Sequence, residues 1–234
     1  MRLRSLREEV CAANIALQNA GLITLTWGNV SGIDRESGHV AIKPSGVAYE
    51  DLTPDQIVLV DLDGCVVDGT LKPSSDTPTH VRLYRAFKSI GGVAHTHSCH
   101  AVMFAQAGRP IPCLGTTHAD HFYGAIPVTR MLTQSEVESD YEGHTGDVIL
   151  ESFSDLDPVA LPGVLVAGHA PFTWGPTATK AVENSIALEA IAEMALGTRQ
   201  LDPDANLPSY VLDKHHHRKH GPGAYYGQRD GNHE

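Results

Sequence analysis

The sequence lacks any apolar run that approaches the roughly 18 residues needed to cross a membrane, so we predict no membrane span. Its first ten residues, MRLRSLREEV, carry charges of both signs and contain no apolar stretch like the core of a secretion signal. We therefore expect a cytoplasmic protein without a membrane partner.

Basic residues and cysteines are also scarce. There are 17 Lys and Arg against 28 Asp and Glu, which gives a formal net charge of −11. Because sequence-independent binding to nucleic acid needs clustered Lys and Arg, we expect no nucleic-acid partner. The cysteines form no CxxC pair, which is typical of reduced thiols; they are Cys11, Cys65, Cys99 and Cys113.

Histidine, in contrast, is abundant, with 14 residues in a chain of 234. The length and the 41% apolar content predict one large domain with an ample core. We place this domain at residues 1–228 and expect a short flexible tail at 229–234.

The hydrophobic pattern predicts both helices and strands, in an α/β or α+β chain with a mixed sheet. Apolar residues recur at helical spacing from Leu3 to Leu17, and Gly21 is expected to end that helix. Further helices are predicted from an N-cap at Thr77 to Gly91, over 99–107 and over 177–196, the last with Val182, Ile186, Ala190 and Met194 on one stripe. Strands are predicted at 22–27, 40–42, 57–60, 93–97 and 163–168.

Three histidines near predicted strand ends suggest a metal site. His95 and His97 lie two positions apart, and alternate residues of a strand share a face. His169 follows a second apolar strand, so three imidazoles converge if the two strands are neighbours. Three neutral imidazoles leave open positions on a divalent ion, as in catalytic sites, and Zn²⁺ is the favoured ion. The alternative is a chance HxH pair in a histidine-rich chain.

Other histidines are weaker candidates for metal binding. The additional candidates are His118, His121 and the segment 213–220, which contains the triplet His215, His216 and His217. Three consecutive side chains cannot all face one ion, so we expect most of them on a solvated surface.

Three short polar segments indicate a possible anion site: 26–29 (TWGN), 43–46 (KPSG) and 74–75 (SS). The two serines precede a predicted helix, where free N–H groups and the helix dipole favour an anion. Glycine permits close backbone approach to a ligand, and Lys43 adds a charge. Each segment alone is more typical of a turn or a cap, so only their convergence predicts a phosphate site.

Eight motifs in register resemble the class II aldolase family, which includes sugar-phosphate aldolases, sugar-phosphate epimerases and the adducin head. The resemblance extends from about residue 3 to residue 228. The motifs are TLTWGNVSG, IKPSGV, KPSSDTPTH, GGVAHTHS, GTTHAD, PGVLVAGHAPFTWG, LDKHHHRKHG and AYYGQ.

The resemblance implies a single three-layer α/β/α domain with a central, mainly antiparallel mixed sheet. It also implies a homotetramer with active sites at subunit boundaries. It assigns Zn²⁺ to His95, His97 and His169, with Asp76 as a further ligand, and substrate contacts to Gly28, Asn29, Lys43, Ser45, Gly46, Ser74 and Ser75. By the same match, Asp120 and Tyr226 are the catalytic acid and base, Tyr226 coming from a neighbouring subunit, while Glu142 and His215 have supporting roles.

The residue at position 76 separates the branches of this family. The aldolases carry Glu there, whereas this chain has Asp76, as the epimerases do. The resemblance therefore implies inversion of C4 of L-ribulose 5-phosphate to D-xylulose 5-phosphate, by cleavage and re-formation of the C3–C4 bond. The alternatives are an aldolase of the fuculose or rhamnulose phosphate type and a non-catalytic binding module like the adducin head.

Overall fold

The structure is a computed structural model that describes residues 2–220 and 223–226. The tail predicted at 229–234 lies outside the described residues, and the domain boundary at 228 stays a prediction. Within the described residues, no helix combines the length and the apolar character of a membrane span.

A seven-stranded sheet forms the centre of the described chain, and all neighbouring strands in it run antiparallel. The spatial order is β4-β3-β2-β1-β5-β7-β6. A single parallel bridge joins Val128 to Leu165. The strands are β1 (Asn29–Asp34), β2 (His39–Ile42), β3 (Val58–Val60), β4 (Val66–Asp68), β5 (Gly92–His95), β6 (Gly163–Leu165) and β7 (Pro171–Gly175).

Helices cover both faces of this sheet. The core between the sheet and α1 includes the first part of α6, and the core on the other face includes α2 and α5. The predicted three-layer α/β/α fold is confirmed. The helices are α1 (Arg4–Asn19), α2 (Thr77–Ala86), α3 (Cys99–Gln106), α4 (Thr116–Ala119), α5 (Gln134–Ser152), α6 (Ala178–Leu201) and α7 (Ser209–Lys219).

Strand alternation divides the apolar residues between the two cores. In β3, Val58 and Val60 point to the core beside α2, while Leu59 points to the core beside α1. Successive strand side chains alternate between faces, so a fully apolar strand such as β3 is the expected result for a sheet covered on both sides.

The predicted helix ends at Gly21 and Thr177 agree with the structure. Gly21 has a φ of +73° directly after α1. Thr177 caps α6 by accepting a hydrogen bond from the Lys180 backbone N–H at 3.1 Å. The predicted stripe on α6 is only partly correct, because Val182 is buried but Ile186 and Met194 are exposed. The buried face is rotated from the predicted one and includes Ala181, Ser185, Leu188, Ala192 and Ala195.

The strand predicted at 22–27 is absent. The chain turns there, with the Trp27 backbone N–H donating to the Thr24 carbonyl at 3.1 Å and a φ of +55° at Leu25. Gly28 has a φ of +91°, and the strand starts only at Asn29. The β-branched composition of this segment is overridden by the turn that brings Gly28 and Asn29 to the start of β1, the central strand of the sheet.

Three boundaries near the predicted site also differ. Strand β5 ends at His95, so His97 lies beyond it rather than on the strand. His169 lies in the tight connection between β6 and β7, where Gly168 has a φ of +71°. Asp76, not Thr77, is the N-cap position of α2, and the Thr77 hydroxyl donates instead to the Ser74 carbonyl at 2.6 Å.

Candidate active site

Three imidazoles converge at one end of the sheet. The end of β5 carries His95, the following segment carries His97, and the connection into the neighbouring strand β7 carries His169. One nitrogen from each ring lies within 4.8 Å of the other two. The convergence expected from the HxH pair and the distant histidine is therefore present in the described chain.

The surroundings orient these rings. The Nδ1 of His95 lies 2.9 Å from the Pro171 carbonyl, and its ring stacks on Phe172 with centroids 4.1 Å apart. A hydrogen bond from Nδ1 to a carbonyl leaves Nε2 with a lone pair toward the cluster, as in histidines that bind metals. The Nδ1 of His169 is buried without a hydrogen-bond partner among the described residues.

Burial favours the neutral form of His97 and His169. Burial and the neighbouring imidazoles together lower the pKa of His97 to about 4 and that of His169 to about 3. Neutral imidazole is the form that binds metal. Three imidazole nitrogens, two of them on rings with lowered pKa values, fit a divalent transition ion.

Asp76 lines the same cavity, but its carboxylate is hydrogen-bonded to Asn29 and does not join the three imidazoles. Its carboxylate accepts a hydrogen bond from Asn29 Nδ2 at 2.6 Å, and it is not part of the cluster of donor atoms within 4.8 Å. Burial raises the pKa of Asp76, but His95, His80 and the Asn29 hydrogen bond outweigh burial, so the pKa lies below its ordinary value. An ionised carboxylate thus faces the three imidazoles.

The three polar segments also converge. The Ser45 backbone N–H donates to the Lys72 carbonyl at 2.9 Å, and the Ser74 N–H donates to the Lys43 carbonyl at 3.0 Å. Asn29 Nδ2 also lies 3.0 Å from Ser74 Oγ, while Asn29 Oδ1 is buried without a partner among the described residues. The condition for an anion site, convergence of all three segments, is met.

Position 28 requires glycine because the backbone there packs closely against the end of β5. A Cβ at this position would lie 2.6 Å from the His95 carbonyl oxygen, and the φ of +91° is itself unfavourable for other residues. Any side chain here would force the Gly28–Asn29 segment and the end of β5 apart.

Lys43 places a buried cation in the cavity wall. Its side chain is 2% exposed, its Nζ donates to the Val47 carbonyl at 2.6 Å, and no carboxylate of the described chain lies within 4.0 Å of it. Burial lowers the pKa of Lys43 to about 8, so the ammonium is still charged at neutral pH. A buried ammonium without an acidic partner is suited to an anionic ligand.

All predicted metal and substrate residues line one cavity of about 410 Å³, a size typical of small-molecule sites. Glu142, to which the resemblance assigns a supporting role, also lines this cavity. The lining comprises Thr26, Trp27, Gly28, Asn29, Lys43, Pro44, Ser45, Gly46, Ser74, Ser75, Asp76, His95, His97, Tyr141, Glu142 and His169.

Tyr141 is a cavity residue that the sequence did not reveal. It lies in α5 directly after Asp140, whose φ of −145° and ψ of 71° break the helix. Arg82 bridges Asp140 and Asp147 across this kink, and Tyr141 and Glu142 line the cavity beside it. The Asp140 side chain also accepts a hydrogen bond from the Gly143 backbone N–H at 3.2 Å, so the kink combines a local helix cap with an ion pair between two helices.

Asp120, Tyr226 and His215 lie together but away from the cavity. The Asp120 carboxylate accepts from Arg218 at 2.7 Å and lies 3.1 Å from His215 Nδ1. The Arg218 guanidinium also lies 4.8 Å from the centre of the Tyr226 ring. Burial raises the pKa of Asp120, but the hydrogen bonds from Arg218, His215 and Lys219 hold it below its ordinary value. None of the three predicted residues lines the cavity of the described chain.

The remaining histidines do not join the cluster of three. His216 is buried and stacks on His220 at 4.5 Å, whereas His217 is exposed. The Nε2 of His118 lies 2.7 Å from the Gly124 carbonyl.

Comparisons with known proteins identify the family of this chain. The family model for the Class II Aldolase and Adducin N-terminal domain matches residues 8–196. A protein of Salmonella paratyphi A named L-ribulose-5-phosphate 4-epimerase UlaF is 52% identical over 228 residues, covering 97% of this chain and all of the relative. A protein of Salmonella typhi with the same name has the same identity and coverage.

Solved structures share the fold at lower identity. An L-fuculose 1-phosphate aldolase superposes with a TM-score of 0.74 at 23% identity, covering 90% of this chain and 94% of that chain. The L-fuculose-1-phosphate aldolase of Thermus thermophilus has a TM-score of 0.67 at 23% identity, covering 88% of this chain and all of that chain. This chain therefore belongs to the Class II Aldolase and Adducin N-terminal domain family.

Proposed function

We propose that this chain is a metal-dependent L-ribulose-5-phosphate 4-epimerase that forms D-xylulose 5-phosphate. The observation that carries the proposal is one cavity containing three converging imidazoles and three converging anion-binding segments. The relatives of 52% identity that bear this name support it. Asp76, where the aldolase branch has Glu, favours epimerisation over release of two fragments.

We propose Zn²⁺ as the resident ion, held by His95, His97 and His169, with Asp76 as a further ligand. Three imidazoles and a carboxylate suit zinc and leave room for substrate oxygens. When bound, the ion supplies Lewis-acid stabilisation of negative charge on the substrate's carbonyl end.

The chemistry of the substrate explains why such a site is needed. The hydrogen on C4 is not adjacent to the C2 carbonyl, so it is not acidic enough for simple removal. Cleavage of the C3–C4 bond, in contrast, delivers its electron pair next to that carbonyl. The aldehyde fragment must then remain bound, rotate and be attacked on its opposite face.

The anion-binding segments retain that fragment in this proposal. Lys43 faces the cavity without an acidic partner among the described residues, and Ser74 and Ser75 precede α2, so together they bind the phosphate. The unpartnered Asn29 Oδ1 accepts a hydrogen bond from a substrate hydroxyl. A fragment fixed at its phosphate turns about its C–C bond instead of diffusing away.

Asp120 and Tyr226 are proposed as the two acid–base groups, supplied across a subunit boundary of a homotetramer. Inversion needs one group on each face of the aldehyde, one to take the C4 hydroxyl proton and one to return it. Neither residue lines the cavity of its own chain among the described residues, which supports their supply from other copies of the chain.

Product analysis tests the reaction itself. We expect purified, zinc-loaded protein to convert L-ribulose 5-phosphate to D-xylulose 5-phosphate without releasing glycolaldehyde phosphate and dihydroxyacetone. Release of both fragments at the turnover rate would support the aldolase alternative. Retained activity in His97→Asn, or no divalent ion in metal-replete protein, would favour a binding module.

Subunit mixing tests the shared site. If Asp120 and Tyr226 of different chains serve one cavity, inactive Asp120→Asn and Tyr226→Phe proteins recover activity when refolded together. No recovery in verified mixed oligomers would mean that one chain supplies both groups to each site.

A further inference from the structure

Tyr49 lies behind the cavity wall and contacts two of the segments that form it. It begins a short 3₁₀ helix at Tyr49–Asp51, is 1% exposed and is not among the residues that line the cavity. Its hydroxyl donates to the Gly28 carbonyl at 2.7 Å, and its ring centre lies 4.6 Å from Lys43 Nζ. No motif in the sequence singles it out.

The hydroxyl holds the Gly28–Asn29 segment at its most constrained point. The left-handed backbone at Gly28 packs against the His95 carbonyl, and the following Asn29 bonds both Ser74 and Asp76. A rotation of the Gly28 peptide would therefore move Asn29 relative to both partners. The Tyr49 hydrogen bond opposes that rotation.

The aromatic ring of Tyr49, in turn, contacts the Lys43 ammonium through a cation–π interaction. An aromatic face attracts an ammonium, and the attraction is stronger where water is excluded. Lys43 has Val47 as its close carbonyl acceptor and no carboxylate within reach among the described residues. The ring therefore stabilises a charged Lys43 without neutralising it, as an anion-binding lysine requires.

Tyr49 itself remains a hydrogen-bond donor throughout the physiological range. Burial raises the pKa of its hydroxyl above the ordinary value, and the charge of Asp76 raises it further. An ionised tyrosine beside the Gly28 carbonyl would repel it, so this environment favours the protonated form.

We propose that Tyr49 is a positioning residue for the phosphate subsite, fixing the Gly28–Asn29 segment through its hydroxyl and the Lys43 ammonium through its ring. It does not touch substrate. The proposal rests on the proposed function only in identifying the anion as the phosphate of a sugar phosphate.

Three variants separate the parts of this proposal. Tyr49→Phe removes the hydroxyl and keeps the ring, whereas Tyr49→Leu removes both. Tyr84→Phe is the matched control, because Tyr84 is fully buried and its hydroxyl lies 2.8 Å from Ser31 Oγ, a residue that does not line the cavity. The probe is inorganic phosphate, measured as thermal stabilisation of zinc-loaded protein and as competitive inhibition of turnover.

We expect Tyr49→Phe to weaken phosphate binding about three- to tenfold, as loss of one hydrogen bond predicts. The KM for the sugar phosphate should rise by a similar factor, with a smaller change in kcat. Tyr49→Leu should weaken phosphate binding by about a further threefold, because Lys43 loses its aromatic partner. Tyr84→Phe should lower thermal stability without changing phosphate binding.

Two results would overturn the proposal. One is wild-type phosphate binding in folded Tyr49→Phe protein. The other is equal weakening in Tyr49→Phe and Tyr84→Phe, which would indicate a general effect of losing a buried hydroxyl. If wild-type protein has no epimerase activity, the proposed function fails, but the phosphate measurement still decides the role of Tyr49.

Discussion

Glu189 accepts hydrogen bonds at the start of α3, the helix that follows His97. Replacing Glu189 with Gln tests whether these hydrogen bonds stabilise the fold and the position of His97. The side chain comes from α6 and is 15% exposed. It accepts hydrogen bonds from the backbone N–H groups of His100 at 2.9 Å and Ala101 at 3.0 Å, and it lies 2.9 Å from His100 Nδ1. It thus satisfies free N–H groups at the start of α3.

The expected cost follows from these contacts. Hydrogen bonds to a charged group are worth about 1.5–3 kcal/mol each, whereas an ordinary N-cap is worth about 1 kcal/mol. Gln keeps one acceptor oxygen but turns an NH₂ group toward the second backbone N–H. We therefore expect Glu189→Gln to lower the free energy of unfolding by about 2–3 kcal/mol.

The pH dependence of the stability difference between wild type and Glu189→Gln gives a second, independent test. Burial raises the pKa of Glu189, but the backbone hydrogen bonds from His100 and Ala101 outweigh burial and hold it below the ordinary 4.5. Since the folded pKa is below the unfolded one, the stabilisation is complete above about pH 4.5 and is lost as pH falls through the folded pKa. The stability gap between wild type and Glu189→Gln should therefore narrow below about pH 4.5.

Urea unfolding from about pH 7 down to about pH 3 measures both effects. Glu183→Gln is the matched control, because Glu183 lies on the same helix but is 56% exposed and pairs only with Lys180 in the described chain. Chelator competition should also show weaker zinc binding in Glu189→Gln, since α3 begins two residues after His97. A Glu189→Gln protein as stable as Glu183→Gln at pH 7, or a gap independent of pH, would refute the reasoning.

Three further predictions concern the site. Because the pKa of Lys43 is about 8, kcat/KM should fall above pH 8 as the ammonium is lost, and Lys43→Arg should move that fall to higher pH; the same fall in both proteins would exclude Lys43 as its source. His169→Ala should lose stoichiometric zinc by elemental analysis and lose turnover, while circular dichroism stays native-like; full zinc content would remove His169 from the ligands. Tyr226→Phe should keep wild-type zinc content but cut turnover about 100-fold or more, as general acid–base catalysis predicts, and wild-type turnover would exclude Tyr226 from the chemistry.

Local patterns were sufficient for features that depend on neighbouring residues. The end of α1 at Gly21 and the cap of α6 at Thr177 follow from backbone preferences within one helical turn. The prediction of a strand at 22–27 is wrong because the conformation of this segment depends on a distant residue. Gly28 packs against the His95 carbonyl, which is far away in the sequence. The kink at Asp140 has a local part, the cap of the Gly143 N–H by Asp140, and a distant part, the ion pair with Arg82 on another helix, which local patterns do not reveal.

The sequence by itself determined which groups are available for chemistry: imidazoles at 95, 97 and 169, a lysine at 43, and small polar residues beside helix and strand ends. Only the tertiary structure decided that these groups share one cavity and that Asp120 lies outside it. The physical reason is that side-chain identity is a local property, whereas convergence depends on the strand order β1-β5-β7, which is set by burial on both faces of the sheet.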